Sequence, residues 1–286
     1  MSITEDELAA ERSAVFVGHS PAGPPTARGS VLRRLLTSQL SGILLAFVVW
    51  ELVPRIGLVP QRYIPPFSEV LPEFFTELGR GEFWIATGNT LWAWAVGLSI
   101  GVVVGVGIGV AIGSSATAYR ATRFVLEFLR PIPSVALIPL AVLLFGINGQ
   151  MKISLVIFAT VWPILIQTVY GVRELDPVAR DTARSFGYSR WEVFSRVTLP
   201  TAAPLIATGI RIASALAIVI AVTAELITGV TGLGAEVLFA QSAGSSVRLY
   251  ALILAIGIVS YALSQVIEAV ERRLLCWHVS FRKEHG

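Results

Sequence analysis

The sequence predicts an all-α integral membrane protein with six transmembrane helices, and three observations carry that expectation. Of its 286 residues, 54% are hydrophobic and 14% charged, where an ordinary soluble domain carries about 25% charged residues. Six apolar windows fall at roughly 38–56, 84–112, 124–146, 151–170, 204–228 and 249–270, each near or above the roughly 20 residues that a helix needs to cross a bilayer. The basic residues gather at alternate ends of these windows.

Residues 1–36 read as a flexible tail, with an acidic start, "TEDELAAER", followed by "SPAGPPTARGS". The tail has no basic segment running directly into an apolar core with a small-residue cleavage site, so it is not read as a signal peptide. A membrane domain follows over 37–275, and a short tail over 276–286. Between the first two spans, "FSEVLPEFFTELGRG" predicts a short amphipathic helix. Ser68 can cap it, Gly79 can end it, and Val70, Leu71, Phe74, Phe75 and Leu78 share one face. It is expected to pack along the outer membrane interface.

The second span carries Gly97, Gly101, Gly105, Gly109 and Gly113, each four residues apart. Positions i and i+4 share a helix face, so the glycines form a groove that another backbone can approach closely. "GVGIG" lacks the spacing of a nucleotide-binding loop and is read as packing. The third span holds Pro131, Pro133 and Pro139 and should start irregularly or bend. Only "GINGQ" separates it from the fourth, so these two should form a tight antiparallel pair.

Charge sets the orientation. With the N-terminus cytoplasmic, the inner segments hold Arg12, Arg28, Arg33, Arg34, Arg120, Arg123, Arg173, Arg180, Arg184, Arg190, Arg196, Arg272, Arg273, Arg282 and Lys283. The outer loops hold Arg62, Arg80, Arg248 and Lys152. This topology accounts for the net charge of +3 without nucleic acid as a partner. Cys276 is the lone cysteine, so no internal disulfide can form.

Between the fourth and fifth spans, about 176–200, lies "DPVARDTARSFGYSRWEVFSRVTLP". Asp176 with Pro177 marks a helix start, and Gly187 supplies a left-handed residue to end that helix. Ser189 and Glu192 form a capping box for a second helix, from about Arg190 to Thr198. Pro200 and Pro204 are expected to break the chain before the fifth span. Asp181-Thr182-Ala183, then Gly187, Val197 and Leu199-Pro200 reproduce the spacing of E-A-A-x3-G-x9-I-x-L-P. They resemble the EAA motif of ABC importer permeases of type I architecture. The phrases "RPIPSVALIPLAVLLFG" and "LPTAAPLIATGIRIASALAIVIAVTAELI" are similar to the branch handling sulfonates, taurine and nitrate. The chain departs from that branch at Thr90-Leu91-Trp92-Ala93, where many members have Ser-Leu-x-Arg.

The resemblance implies a cytoplasmic two-helix coupling loop, built on Asp181, Thr182, Ala183, Gly187, Val197, Leu199 and Pro200, that docks into an ATPase subunit. It further implies two ATPase copies carrying ATP and Mg, a permease homodimer, an extracytoplasmic solute-binding protein, and a place in the cell membrane. This chain has no G-x-x-x-x-G-K-[ST], so it is expected to bind no cofactor and to hydrolyse nothing itself.

Ionisable groups within spans are functional candidates. Glu225 either faces the pathway or satisfies backbone donors in the "GVTGLG" turn. The second reading is favoured, because a carboxylate suits an anion route poorly. Arg211 either steers an anion or reaches the interface to pair with the coupling loop, again with the second favoured. Lys152 and Arg130 read as interfacial. His19, His278 and His285 lie in tails or at an edge without ligand spacing, so neither a metal site nor a catalytic triad is expected. Trp50, Trp84, Trp92, Trp94, Trp162 and Trp277 suit belt or packing positions. A membrane-embedded enzyme would need a polar cluster that is not seen. A membrane-anchored helix-turn-helix reader would need base-reading side chains where Trp191 and Phe194 look suited to packing.

Overall fold

A computed structural model describes residues 39–275. The tails at 1–36 and 276–286, with His19, Cys276, Trp277, His278 and His285, lie outside the described residues. The chain divides into two units, 1–53 and 54–286. Of the first, the structure describes α1, Gln39–Arg55, which ends two residues past the boundary.

The second unit is helical throughout its regular structure. It begins with α2, Phe67–Leu78, and α3, Gly81–Gly113. Then come α4, Ala116–Leu129, a 3-10 turn over Ser134–Leu137, and α5, Ile138–Phe145. The long α6, Gly149–Arg173, leads into α7, Pro177–Ser185, and α8, Arg190–Val193. A π-turn over Phe194–Thr198 continues directly into α9, Leu199–Thr228. The unit closes with α10, Leu233–Ser242, and α11, Ser246–Leu274.

Four stretches among the described residues are long and apolar enough to cross a membrane: α3, α6, the α8–α10 run and α11. A fifth exists if α4 and the Ser134–Phe145 segment, bent by 82°, form one broken span. Among the described residues, four or five spans are thus found rather than six. The first expected span falls on α1, Gln39–Arg55, which opens the described residues and is not among these candidates. The third is broken where Pro131 and Pro133 withhold backbone donors. Beyond the bend, α5 has only 8 residues. Pro200 and Pro204 do not interrupt the chain as expected. Pro200 follows directly on the π-turn at the start of α9, and Pro204 lies inside that helix.

The centre of the unit is a parallel helix pair. Gly97, Gly101, Gly105, Gly109 and Gly113 of α3 meet Val156, Thr160, Ile164, Thr168 and Val172 of α6 in order. Both helices thus advance four residues per contact. A Cβ at Gly109 would lie 2.6 Å from Thr168 Cβ and 2.9 Å from the Leu165 carbonyl. The two backbones approach this closely only because glycine has no side chain. Met151, Leu155, Val156 and Ala159 of α6 also pack with Ala217, Ile220, Ala221 and Ala224 of α9 and with Ile138 and Ala141 of α5.

The predicted amphipathic helix is α2, with two differences. Its N-cap residue is Pro66 and makes no side-chain cap bond. Ser68 instead accepts from Arg55 Nη2 at 3.1 Å. Phe74 and Leu78 pack beside Phe83, Leu233 and Leu252, so α2 joins the bundle, leaving Phe75 exposed.

Candidate functional site

Two regions stand out, one at each end of α6. Lys152 in its first turn and the residues after Arg173 are separated by about 32 Å along the helix axis.

At the first end, four segments converge on an ion pair. Lys152 Nζ lies 2.6 Å from Glu225 Oε1 and also donates to the carbonyls of Asn89 at 3.2 Å and Thr231 at 2.9 Å. Glu225 Oε2 accepts from the Gly234 N–H at 3.0 Å. Thr90 Oγ1 stands 2.9 Å from both carboxylate oxygens and accepts from the Leu233 N–H at 2.9 Å. Glu225, Thr90 and Lys152 are 0%, 0% and 3% exposed. A Cβ at Gly232 would overlap the Glu225 carboxylate, so the turn wraps the charge tightly.

Lys152 is therefore not interfacial; it is the counter-ion of Glu225. A charge at membrane depth persists only if paired and hydrogen-bonded, and here all three ammonium protons have acceptors. Glu225 does meet backbone donors in its own turn, and it also meets a cation that sequence reasoning missed. The signal was present. Lys152 is the fourth residue of α6 and Glu225 the fourth from the end of α9, opposite charges at one depth on antiparallel helices. Thr90, in the phrase that departs from the sulfonate-type pattern, supplies the hydroxyl that ties Glu225 to the Leu233 turn.

A second polar network lies nearby. Glu77 accepts from Arg248 Nε at 2.7 Å and from Arg80, and Arg248 Nη2 reaches Glu236 at 2.9 Å. These contacts tie α2, α10 and α11. Arg211 pairs with Glu271 of α11 at 3.6 Å, not with the α7–α8 loop, because the side chain reaches sideways to the adjacent helix.

At the other end, α7 and α8 form a loop fixed by its own caps. Asp176 accepts from the Val178 N–H at 2.8 Å. Gly187, at φ +83°, ends α7, with Gly187 N–H donating to the Arg184 carbonyl at 2.9 Å and Tyr188 N–H to Ala183 at 3.2 Å. That reciprocal pair is a Schellman motif. Ser189 and Glu192 make both bonds of a capping box. Asp181, Thr182 and Gly187 are exposed, Ala183 is buried against the loop's base, and Val197 with Leu199-Pro200 forms the entry to α9.

Beside exposed Asp181 and Arg184, the loop presents large apolar side chains outward. Phe186 and Trp191 are 79% and 72% exposed, and Val178 is exposed as well. Trp191 is thus no packing residue, although its ring lies 5.5 Å from that of Phe194. On the bundle side, Arg180, Arg184 and Arg190 line a pocket of about 260 Å³ with Ser114 and Thr198. Among the described residues no group of His, Cys, Asp and Glu could hold a metal ion.

Residues 97–275 match the family model described as the inner membrane component of binding-protein-dependent transport systems. The chain is 33% identical over 255 residues to the taurine transport system permease protein TauC of Escherichia coli (strain K12), covering 86% of this chain and 92% of TauC. It is 36% identical over 227 residues to SsuC of the same organism, provisionally named an aliphatic sulfonates transport permease, covering 79% and 84%. Against the riboflavin transport system permease protein RibX of Chloroflexus aurantiacus the identity is 32%, covering 83% and 89%. The fold resembles a bacterial alginate ABC transporter, with TM-score 0.58 and 19% identity over 88% of this chain and 99% of that one. It also resembles the inward-facing methionine transporter MetNI, with TM-score 0.55 and 21% identity over 65% and 92%. The chain belongs to the family of inner membrane components of binding-protein-dependent transport systems, as a non-catalytic ABC permease.

Proposed function

We propose that this permease forms the pathway for a small anion, a sulfonate, taurine, nitrate or a related solute. An external binding protein delivers that solute, and a partner ATPase drives its passage. The α7–α8 loop is the coupling element. The observation that carries this reading is the pairing of a fully capped loop with the strongly exposed rings of Phe186 and Trp191. Exposed aromatic rings on a soluble loop mark a docking surface. Because the loop passes into α9 with no break, a push on it would move the span as one body. ATP and Mg belong to the ATPase, of which two copies would serve a homodimer with the pathway on its two-fold axis. The N- and C-termini are cytoplasmic in this arrangement.

Names of relatives support an anion, while the riboflavin permease among them makes the substrate an experimental matter. The test is ATP-dependent uptake in proteoliposomes holding the full complex, comparing ethanesulfonate, taurine, nitrate and riboflavin. Uptake of a sulfonate or nitrate, abolished by leaving out ATP, is the expected result. Uptake of riboflavin with none of the anions would overturn the anion assignment.

A further inference from the structure

A cavity of about 540 Å³ opens between the bend after α4, the middle of α6 and the middle of α9. Trp162 lines it about 20 Å from one end of α6 and about 16 Å from the other, so it lies at mid-membrane depth. Most of its wall is proline and aliphatic side chain, but four polar groups face it: Arg130, Ser134, Trp162 and Gln167.

Two of these are left without partners. Trp162 Nε1 is buried and has no hydrogen-bond acceptor, although its ring is held edge-on to Phe158 with centroids 5.8 Å apart. A buried donor without an acceptor is rare and costly, and within this chain the N–H is free to bond a group entering the cavity. Arg130, an exposed residue at the cavity's rim, makes no side-chain hydrogen bond or ion pair among the described residues. The carboxylate one turn earlier, Glu127, is taken by Arg123 at 2.8 Å. No carboxylate lines the cavity. Gln167 is set in place by Gly209 across the helix pair, where a Cβ would come within 2.9 Å of Gln167 Cβ.

Resting on the transport reading above, we propose that this cavity is a transient binding site for the transported solute, and that the solute is a simple oxoanion. Arg130 balances its charge, Trp162 N–H and the Gln167 amide donate to its oxygens, and the aliphatic wall takes a short organic tail. An alkanesulfonate or nitrate fits this lining. A zwitterion would bring an ammonium with no carboxylate to meet it. The Lys152–Glu225 pair cannot serve the same role, since its donors and acceptors are already satisfied by one another and by backbone.

The test uses the full complex in proteoliposomes with Cys276→Ser as background, adding Gln167→Cys or, as the milder change, Ser134→Cys. A cavity lined by one sign of charge concentrates counter-ions by about tenfold or more. An anionic thiosulfonate reagent should therefore label these thiols about tenfold faster than a cationic reagent of equal size. Arg130→Gln should erase the preference, and ethanesulfonate should slow labelling more than taurine does. Trp162→Phe, which keeps the ring and deletes the N–H, should weaken protection by ethanesulfonate. Equal rates for both reagents, or no labelling at either position, would overturn the site. Equal protection by taurine would overturn the preference for a simple anion. If the wild-type complex retains its ATPase and imports solute, such a failure belongs to the cavity alone. If it does neither, the transport reading itself has failed.

Discussion

The two ends of α6 solve opposite problems. At the Lys152 end every polar group is satisfied within the chain: an ammonium, a carboxylate, a hydroxyl and two turn amides close on one another at 2.6–3.2 Å. At the α7–α8 end the backbone is equally well tied, yet Phe186 and Trp191 stand in the open. The lesson is that saturation and exposure mark different duties. The first end holds helices in register, and the second, on the function proposed above, is covered by the ATPase.

Breaking the saturated end should have the largest effect. Lys152→Ala strands a buried carboxylate and should cost about 3–5 kcal/mol, visible as loss of folded protein in a detergent melt. Replacing both partners, Lys152→Met with Glu225→Leu, should recover much of that loss, since no orphan charge remains. A double variant as unstable as the single one would contradict the account of this network. Next comes the helix pair that joins the two ends. Gly109→Ala forces a methyl against Thr168 and should cost up to about 3 kcal/mol. Gly107→Ala, two residues away, meets nothing within 4 Å and should be neutral or slightly stabilising. Equal melting shifts would mean that the glycine face does not set the packing.

The exposed end should show the reverse behaviour. Trp191→Ala should leave the melting temperature nearly unchanged while weakening ATPase retention by about 30-fold, roughly 2 kcal/mol. A lowered melting temperature with normal retention would reverse the assignment. The smallest effect is expected at Gly187. A Cβ there meets nothing within 4 Å, but φ is +83°, so Gly187→Ala should cost about 1 kcal/mol of local strain. The loop should fray in hydrogen exchange without any change elsewhere.

Features within one turn of chain were legible in the sequence. Asp176-Pro177, Gly187 and Ser189…Glu192 announce their caps because each cap is a contact between neighbours. The five glycines announce a groove, but not that α6 fills it. Contacts distant in sequence were lost. Lys152 and Glu225 are 73 residues apart and read separately as an interfacial lysine and a lone carboxylate. The helix α10 was missed because "LGAEVLFAQS" is short and buried, with no apolar run long enough to register. Pro200 was misread as a break because a proline in the first turn of a helix looks, in sequence, like one that ends it. The bend after Leu129 was foreseeable from Pro131 and Pro133, whereas the cavity it creates depends on three segments meeting.

The central claim is that the α7–α8 loop joins this permease to an ATPase, and the most direct measurement is the native mass of the complex. The full chain would be purified from its own membranes in mild detergent, as wild type and as Trp191→Ala. The account predicts two permease copies with two ATPase copies for the wild type, and permease stripped of ATPase for the variant. Wild-type permease without ATPase, while that ATPase is abundant in the same membranes, would contradict it.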